Sequence, residues 1–228
     1  MLMQDLLNTL KEKFLKHGME LFSFFRVEDY NRQVETKHHL PQFEKSFGIL
    51  IGNTRTIWPL FQNHLKVFPR WKESENPFDE FIESSVSQCL DAFPLSHEIR
   101  FAHKPQPFHI AFQKLAQIAG VAYLSQSHLS IHPKWGPWFS LRAAIVMEGS
   151  HELPPSSLEN NPCSFCEQKC GTAFEKAYTK MQSSSLPVEE NWRDWLNVRD
   201  ACPLGREYRF SDQQVEYHYT KNKAMLET

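Results

Sequence analysis

Only eight glycines serve 228 residues, and no glycine-rich turn follows a predicted strand. A doubly wound dinucleotide-binding fold needs such a turn, because glycine lets the backbone approach a pyrophosphate closely at a helix start. That architecture is disfavoured although strands and helices alternate in the first half. Apolar residues recur at helical spacing in 6–15, closed by His17-Gly18. Segments 19–27 and 47–51 are dense in apolar residues, the second running into Gly52-Asn53, and read as buried strands around a polar loop at 31–42. Helical periodicity returns in 56–68, 77–93 and 108–120, with a strand at 97–101, a short exit at 121–124 and a strand at 140–147. Residues 148–161, with Pro154 and Pro155, read as a linker. The expected class is α+β: a mixed, largely antiparallel sheet flanked by helices.

Twenty-five Lys and Arg against 27 Asp and Glu leave a formal charge of −2, so no global basic field gathers nucleic acid or anionic lipid. The N-terminal apolar residues are broken by Gln4, Asp5, Lys11, Glu12 and Lys13, unlike a secretory h-region. No apolar run is long enough for a membrane span. Five cysteines without an export signal point to reduced thiols in the cytoplasm. Partners are expected among small molecules, with no nucleic acid and no membrane; a homodimer stays open.

The richest segment packs two Trp, two Pro, one Gly and one His into 131–139, just before the strand. Pro133 and Pro137 fix φ, and Gly136 permits a conformation other residues resist. Stiff aromatic planes beside a polar His suit one wall for a flat, mostly apolar ligand with a polar rim. The plainer alternative is that Trp135 and Trp138 fill the core.

The run Ser130-Ile131-His132-Pro133-Lys134-Trp135-Gly136-Pro137-Trp138-Phe139-Ser140-Leu141-Arg142 closely resembles the CblC-type cobalamin-processing proteins. His39-Leu40-Pro41, Ala119 to Tyr123 with Gln126, Trp192-Arg193-Asp194-Trp195 and Arg199-Asp200-Ala201 resemble that family in the same order, so the likeness spans about residues 39–220. The resemblance implies a nitroreductase-like scaffold, a single cobalamin-binding domain over 1–228. It also implies that cobalamin, held with its nucleotide base displaced, loses its upper ligand: cyanide by reduction with a flavin (FAD or FMN), or an alkyl group to glutathione. On this reading Tyr123, Gln126, Ile131, His132, Trp135, Trp138 and Phe139 contact cobalamin, and Arg142, Arg193 and Arg199 serve the catalytic thiol site. The planar guanidinium pairs bidentately with carboxylates, and glutathione carries two. In the family's animal members the stretch between the positions of Gln126 and Ile131 is longer.

Cys163, Cys166 and Cys170 fall within eight residues, and Cys202-Pro203 follows much later, making 162–205 a cysteine-bearing extension. Four thiols can surround one soft metal centre, zinc or a single [4Fe–4S] cluster. The late Cys-Pro and the following Leu204 to Phe210 resemble the tail of ferredoxin-like proteins related to epoxyqueuosine reductase. Cys89, on a helical stripe, reads as core. Two alternative functions therefore stand beside ligand removal: a non-enzymatic cobalamin carrier, and an iron–sulfur and cobalamin-dependent reductase of the epoxyqueuosine type, the latter disfavoured by the near-neutral charge.

Overall fold

The computed structural model describes residues 3–107, 109–153, 161–164, 166–167, 169–184, 187 and 190–227. Helix α1 (Met3–Lys16) forms where sequence periodicity places it, burying Leu7, Leu10 and Phe14 on one face with Asp5 in its first turn and Lys13 and Lys16 in its last. The acidic start and basic end complement the helix dipole. The chain then enters strand β1 (Leu21–Phe25), which stops because Val27 and Tyr30 fall one turn apart and bury together in the short helix α2 (Val27–Asn31).

Strand β2 (Ser46–Asn53) is buried at every position after Ser46. A strand covered on both faces reads as a continuous apolar run. Helix α3 (Ile57–Val67) and helix α4 (Pro77–Leu90) follow, then strand β3 (His97–Phe101), helix α5 (Phe112–Ile118), the two-residue strands β4 (Tyr123–Leu124) and β5 (Ser130–Ile131), and strand β6 (Ser140–Glu148). The main sheet runs in the order β1-β2-β6-β3, antiparallel throughout, and β4 pairs with β5 in a separate hairpin.

The two central strands divide the core by alternation. Phe47, Ile49 and Ile51 of β2 with Ala143, Ile145 and Met147 of β6 face α1, α3 and α4. Leu50 with Ala144 and Val146 faces α2 and α5. Register follows, since Ile49 opposes Ile145 and Leu50 opposes Ala144, keeping each set on its own side.

Helix α5 begins four residues later than the periodicity at 108–120 suggests, because the Ala111 amide donates to the Tyr30 hydroxyl at 2.9 Å and is withheld from a helical turn. Of the expected linker at 148–161, residues 154–160 lie outside the described ones. Beyond it come three helices absent from the sequence reading: α6 (Lys169–Ser184), α7 (Trp192–Asp200) and α8 (Asp212–Thr220). Helix α6 fully buries only Cys170 and Ala177, so no strong apolar stripe announces it. Cys89 lies fully buried in α4, as expected of a core thiol. Among the described residues no helix is long and apolar enough to cross a membrane.

Ile145 is wholly buried at the centre of the sheet. Ile145→Ala should lower unfolding free energy by about 2–5 kcal/mol, read from the urea midpoint. Arg32→Ala, which removes an ion pair with Asp29 on side chains 71% and 36% exposed, should cost less than about 1 kcal/mol.

Candidate functional site

The aromatic segment between β5 and β6 is a tightly bonded turn. His132 and Gly136 exchange both backbone hydrogen bonds at 2.9 Å, and the Trp138 amide donates to the Trp135 carbonyl at 3.0 Å. The His132 ring stacks on Trp135 with centroids 4.1 Å apart. Its Nδ1 accepts from the Lys134 and Trp135 amides at 3.0 and 3.3 Å, which requires that nitrogen to be unprotonated. Burial, and then the neighbouring Lys134 charge, push His132 down to about 4.

Gly136 (φ +55°) and Gly205 (φ +70°) both occupy the left-handed region and pack against each other's segments. A Cβ on Gly136 would stand 2.0 Å from the Leu204 carbonyl oxygen, and one on Gly205 would stand 2.2 Å from the Trp135 carbonyl carbon. The turn and the loop after α7 therefore cross backbone to backbone, a contact that no side-chain-bearing residue permits.

This crossing and the β4–β5 hairpin separate two hollows. The first, about 360 Å³, is walled by Leu129 and Ser130 of the hairpin, Pro137 and Phe139 of the turn, Arg199 of α7 and His218 and Tyr219 of α8, with Gln113 and Leu141 beside them. Its size is at the low end of small-molecule sites, which run to roughly 1,000 Å³, so a macrocycle would extend past its mouth. The second, about 30 Å³, is lined by Cys163, Cys166, Cys170 and Cys202, with Gln126 and Ile131 on the hairpin side.

The first hollow is electropositive. Arg199 donates to the Pro137 carbonyl at 2.5 Å, and its guanidinium lies 4.8 Å from the Trp138 ring centre. Arg142 donates through Nε to the Asn53 side chain at 2.6 Å and lies 4.9 Å from the Phe78 ring centre. Burial pushes Arg142 down to about 10, with Asp79 opposing and Arg199 adding to the shift, so it stays charged near neutral pH. Arg209 satisfies its charge on Asp200 and Asp212, each at 2.8 Å. Among the described residues neither Arg142 nor Arg199 has such an ion pair. His218 is held well below its ordinary range by burial, then by Arg142, Lys221 and Arg199, and is neutral. Two guanidinium groups without a direct ion pair among the described residues, beside a neutral imidazole, suit an anionic ligand.

The expected site residues are distributed unevenly over this arrangement. Phe139 and Arg199 line the first hollow, and Arg142 is electrostatically coupled to Arg199 behind it. Arg193 is not brought to them: it is exposed and stacks on Trp192 with its guanidinium 4.4 Å from the ring centre. Trp138 is fully buried with Phe210 and Val215, offering no face to a ligand, because it is the surface on which Arg199 and Arg209 rest. Trp135 and His132 remain partly accessible, Tyr123 is half-buried, Gln126 is exposed, and Ile131 is buried against the cysteines. All four cysteines converge, none in a disulfide, although among the described residues no three ligating side chains are already gathered into a metal cage. The sequence reading missed His218, Tyr219 and Asn53. Only the Tyr217-His218-Tyr219 run marks the first two, and nothing local marks Asn53.

A family model described as the methylmalonic aciduria and homocystinuria type C family (MMACHC) matches residues 18–227. The chain belongs to that family. Proteins named cyanocobalamin reductase / alkylcobalamin dealkylase are similar to it. The mouse protein is 24% identical over 242 residues, covering 95% of this chain and 78% of its own, and the chicken protein is 26% identical over 232 residues, covering 89% and 87%. A crystal structure of a C. elegans B12-trafficking protein CblC superposes with a TM-score of 0.72 at 18% identity, covering 98% of this chain and 94% of that one. A crystal structure of epoxyqueuosine reductase reaches 0.54 at 12% identity, covering 91% and 68%. The nitroreductase-like α+β fold expected for an MMACHC-family chain is thus the one observed.

His132 fixes the sign of one pH effect. Its folded-state value of about 4 lies below the roughly 6.5 of an unfolded histidine. The unfolded chain therefore binds the extra proton first, and the stabilisation present above pH ~6.5 is lost as pH falls toward ~4. The urea midpoint should drop over that window, and His132→Asn should flatten part of the drop.

Proposed function

We propose that this chain removes the upper axial ligand of cobalamin for intracellular cofactor processing. The observation that carries the reading is the hollow between the aromatic turn and helices α7 and α8, walled by Phe139 and charged by Arg199, in a chain of the MMACHC family. Cobalamin is the substrate. Phe139, Trp135 and the hairpin supply apolar surface for the corrin, with Tyr123 and His132 at its rim, while Trp138 supports the wall from behind and Gln126 and Ile131 back the hairpin from the cysteine side. Holding the lower nucleotide base away from cobalt removes a donor ligand and makes the metal easier to reduce.

Arg142 and Arg199 attract the carboxylates of glutathione. They orient its sulfur toward the substrate. The thiolate attacks the alkyl carbon, the cobalt–carbon bond breaks with its electron pair left on cobalt, and a thioether departs. In the reductive branch a reduced flavin, FAD or FMN, is the electron donor and cyanide leaves with its own pair. Arg193, exposed and stacked on Trp192 apart from Arg142 and Arg199, has no role in this site. The thiol chemistry suits a reducing cytoplasm.

Titration with cyanocobalamin should abolish the base-on absorbance band on binding; an unchanged spectrum at saturating protein would reject the reading. With methylcobalamin and glutathione, Arg199→Ala should slow dealkylation about 10–100-fold, the loss of one charge-assisted contact of about 1.5–3 kcal/mol. Binding of cobalamin with no turnover under either thiol or reduced flavin would instead identify a carrier.

A further inference from the structure

Cys163 and Cys166 lie in the stretch ahead of α6, Cys170 lies in its first turn, and Cys202 lies in the loop after α7, yet all four line one cavity. Chain connectivity alone makes the first three neighbours. Cys202 reaches them only through tertiary packing: its amide is held by the Arg199 carbonyl at 3.1 Å, and two residues on, Leu204 and Gly205 are pinned against Trp135 and Gly136. The crossing that shapes the aromatic turn therefore also delivers the fourth sulfur.

The remaining wall selects among the chemistries open to thiols. Ile131, Pro162, Pro203 and Leu204 are apolar, and Ser125 and Gln126 are uncharged. A hard cation such as calcium or magnesium requires oxygen ligands, and among the described residues no carboxylate lines the cavity. A nucleophilic cysteine requires one thiol beside a base, and among the described residues no His or Lys lines it either. Four sulfurs in an otherwise uncharged, apolar shell match a soft metal.

We infer that Cys163, Cys166, Cys170 and Cys202 are thiolate ligands of one soft metal centre, a single zinc ion or a [4Fe–4S] cluster, seated against the back of the β4–β5 hairpin. Each thiol gives up its proton to solvent on ligation. All four cysteines line the 30 Å³ hollow, but among the described residues no three of them are yet gathered into a cage, so loading needs their sulfurs to draw together. Ile131 and Gln126 face this centre while the adjacent Leu129 and Ser130 face the larger hollow, so the metal stiffens a wall that the two sites share. The inference stands on the cysteine geometry and does not require cobalamin to be the substrate.

The full chain, purified anaerobically, should carry either about one zinc or about four irons with about four sulfides, measured by elemental and sulfide analysis alongside native mass spectrometry. The first result assigns zinc and the second assigns the cluster. Alkylation should leave the four cysteines protected until a chelator strips the metal, after which all four react. The fully buried Cys89 serves as the internal reference. Cys202→Ser should lower bound metal at least tenfold while Cys89→Ser retains it. A chain that stays metal-free after reconstitution with zinc and with iron plus sulfide, or a disulfide among these cysteines in the anaerobic protein, would overturn the assignment. Should Cys202→Ser fail to fold, metal content and alkylation of the unmodified chain still decide.

Discussion

The backbone crossing at Gly136 and Gly205 is the constraint on which both hollows depend. Each residue sits at positive φ with the opposing main chain where a side chain would begin. Because neither strand of chain can yield without breaking the bonded turn from His132 to Trp138, the loop after α7 is held at one height above that turn. That single height sets Arg199 over Trp138 on one side and Cys202 beside Ile131 on the other. An exposed loop free of this contact would place neither group reproducibly.

Electrostatics then separates supporting arginines from available ones. Arg209 and Arg199 both lie over Trp138, but Arg209 spends its charge on Asp200 and Asp212 while Arg199, among the described residues, bonds a carbonyl and no carboxylate. A carbonyl orients a guanidinium without neutralising it. Arg142, tied to the neutral Asn53 side chain, is in the same position. Keeping two such groups without a direct ion pair among the described residues, Arg142 eased by the more distant Asp79, next to a neutral His218 costs stability, and an incoming anion offsets that cost. The cysteine cavity is the opposite case, its described lining uncharged apart from the thiols, with Arg206 acting on Cys202 from outside.

The first half of the molecule was largely legible in the chain. The continuous apolar runs of β2 and β6, the stripe of α4 and the stop at His17-Gly18 all follow local rules, because each element buries a face large enough to dominate its own periodicity. The C-terminal third was not. Helix α6 fully buries only two residues, α7 only Val198, and α8 only Gln214, Val215 and Tyr217, so their pattern is weak although their packing is specific. The aromatic turn was recognised, yet Trp135 and Trp138 look alike in sequence and end in different places.

By itself, then, the amino-acid sequence determined the class of fold, the stiff aromatic turn, its likeness to cobalamin-processing proteins, and the presence of four thiols able to take a soft metal. These are matters of composition, local φ restriction and short-range periodicity. Only the tertiary structure decided that Trp138 supports from beneath, that Arg193 stands apart from Arg142 and Arg199, that His218 joins them, and that Cys202 meets the other three cysteines. Each of those outcomes depends on where separate stretches of chain cross, and a crossing between two glycines far apart in sequence leaves no local trace.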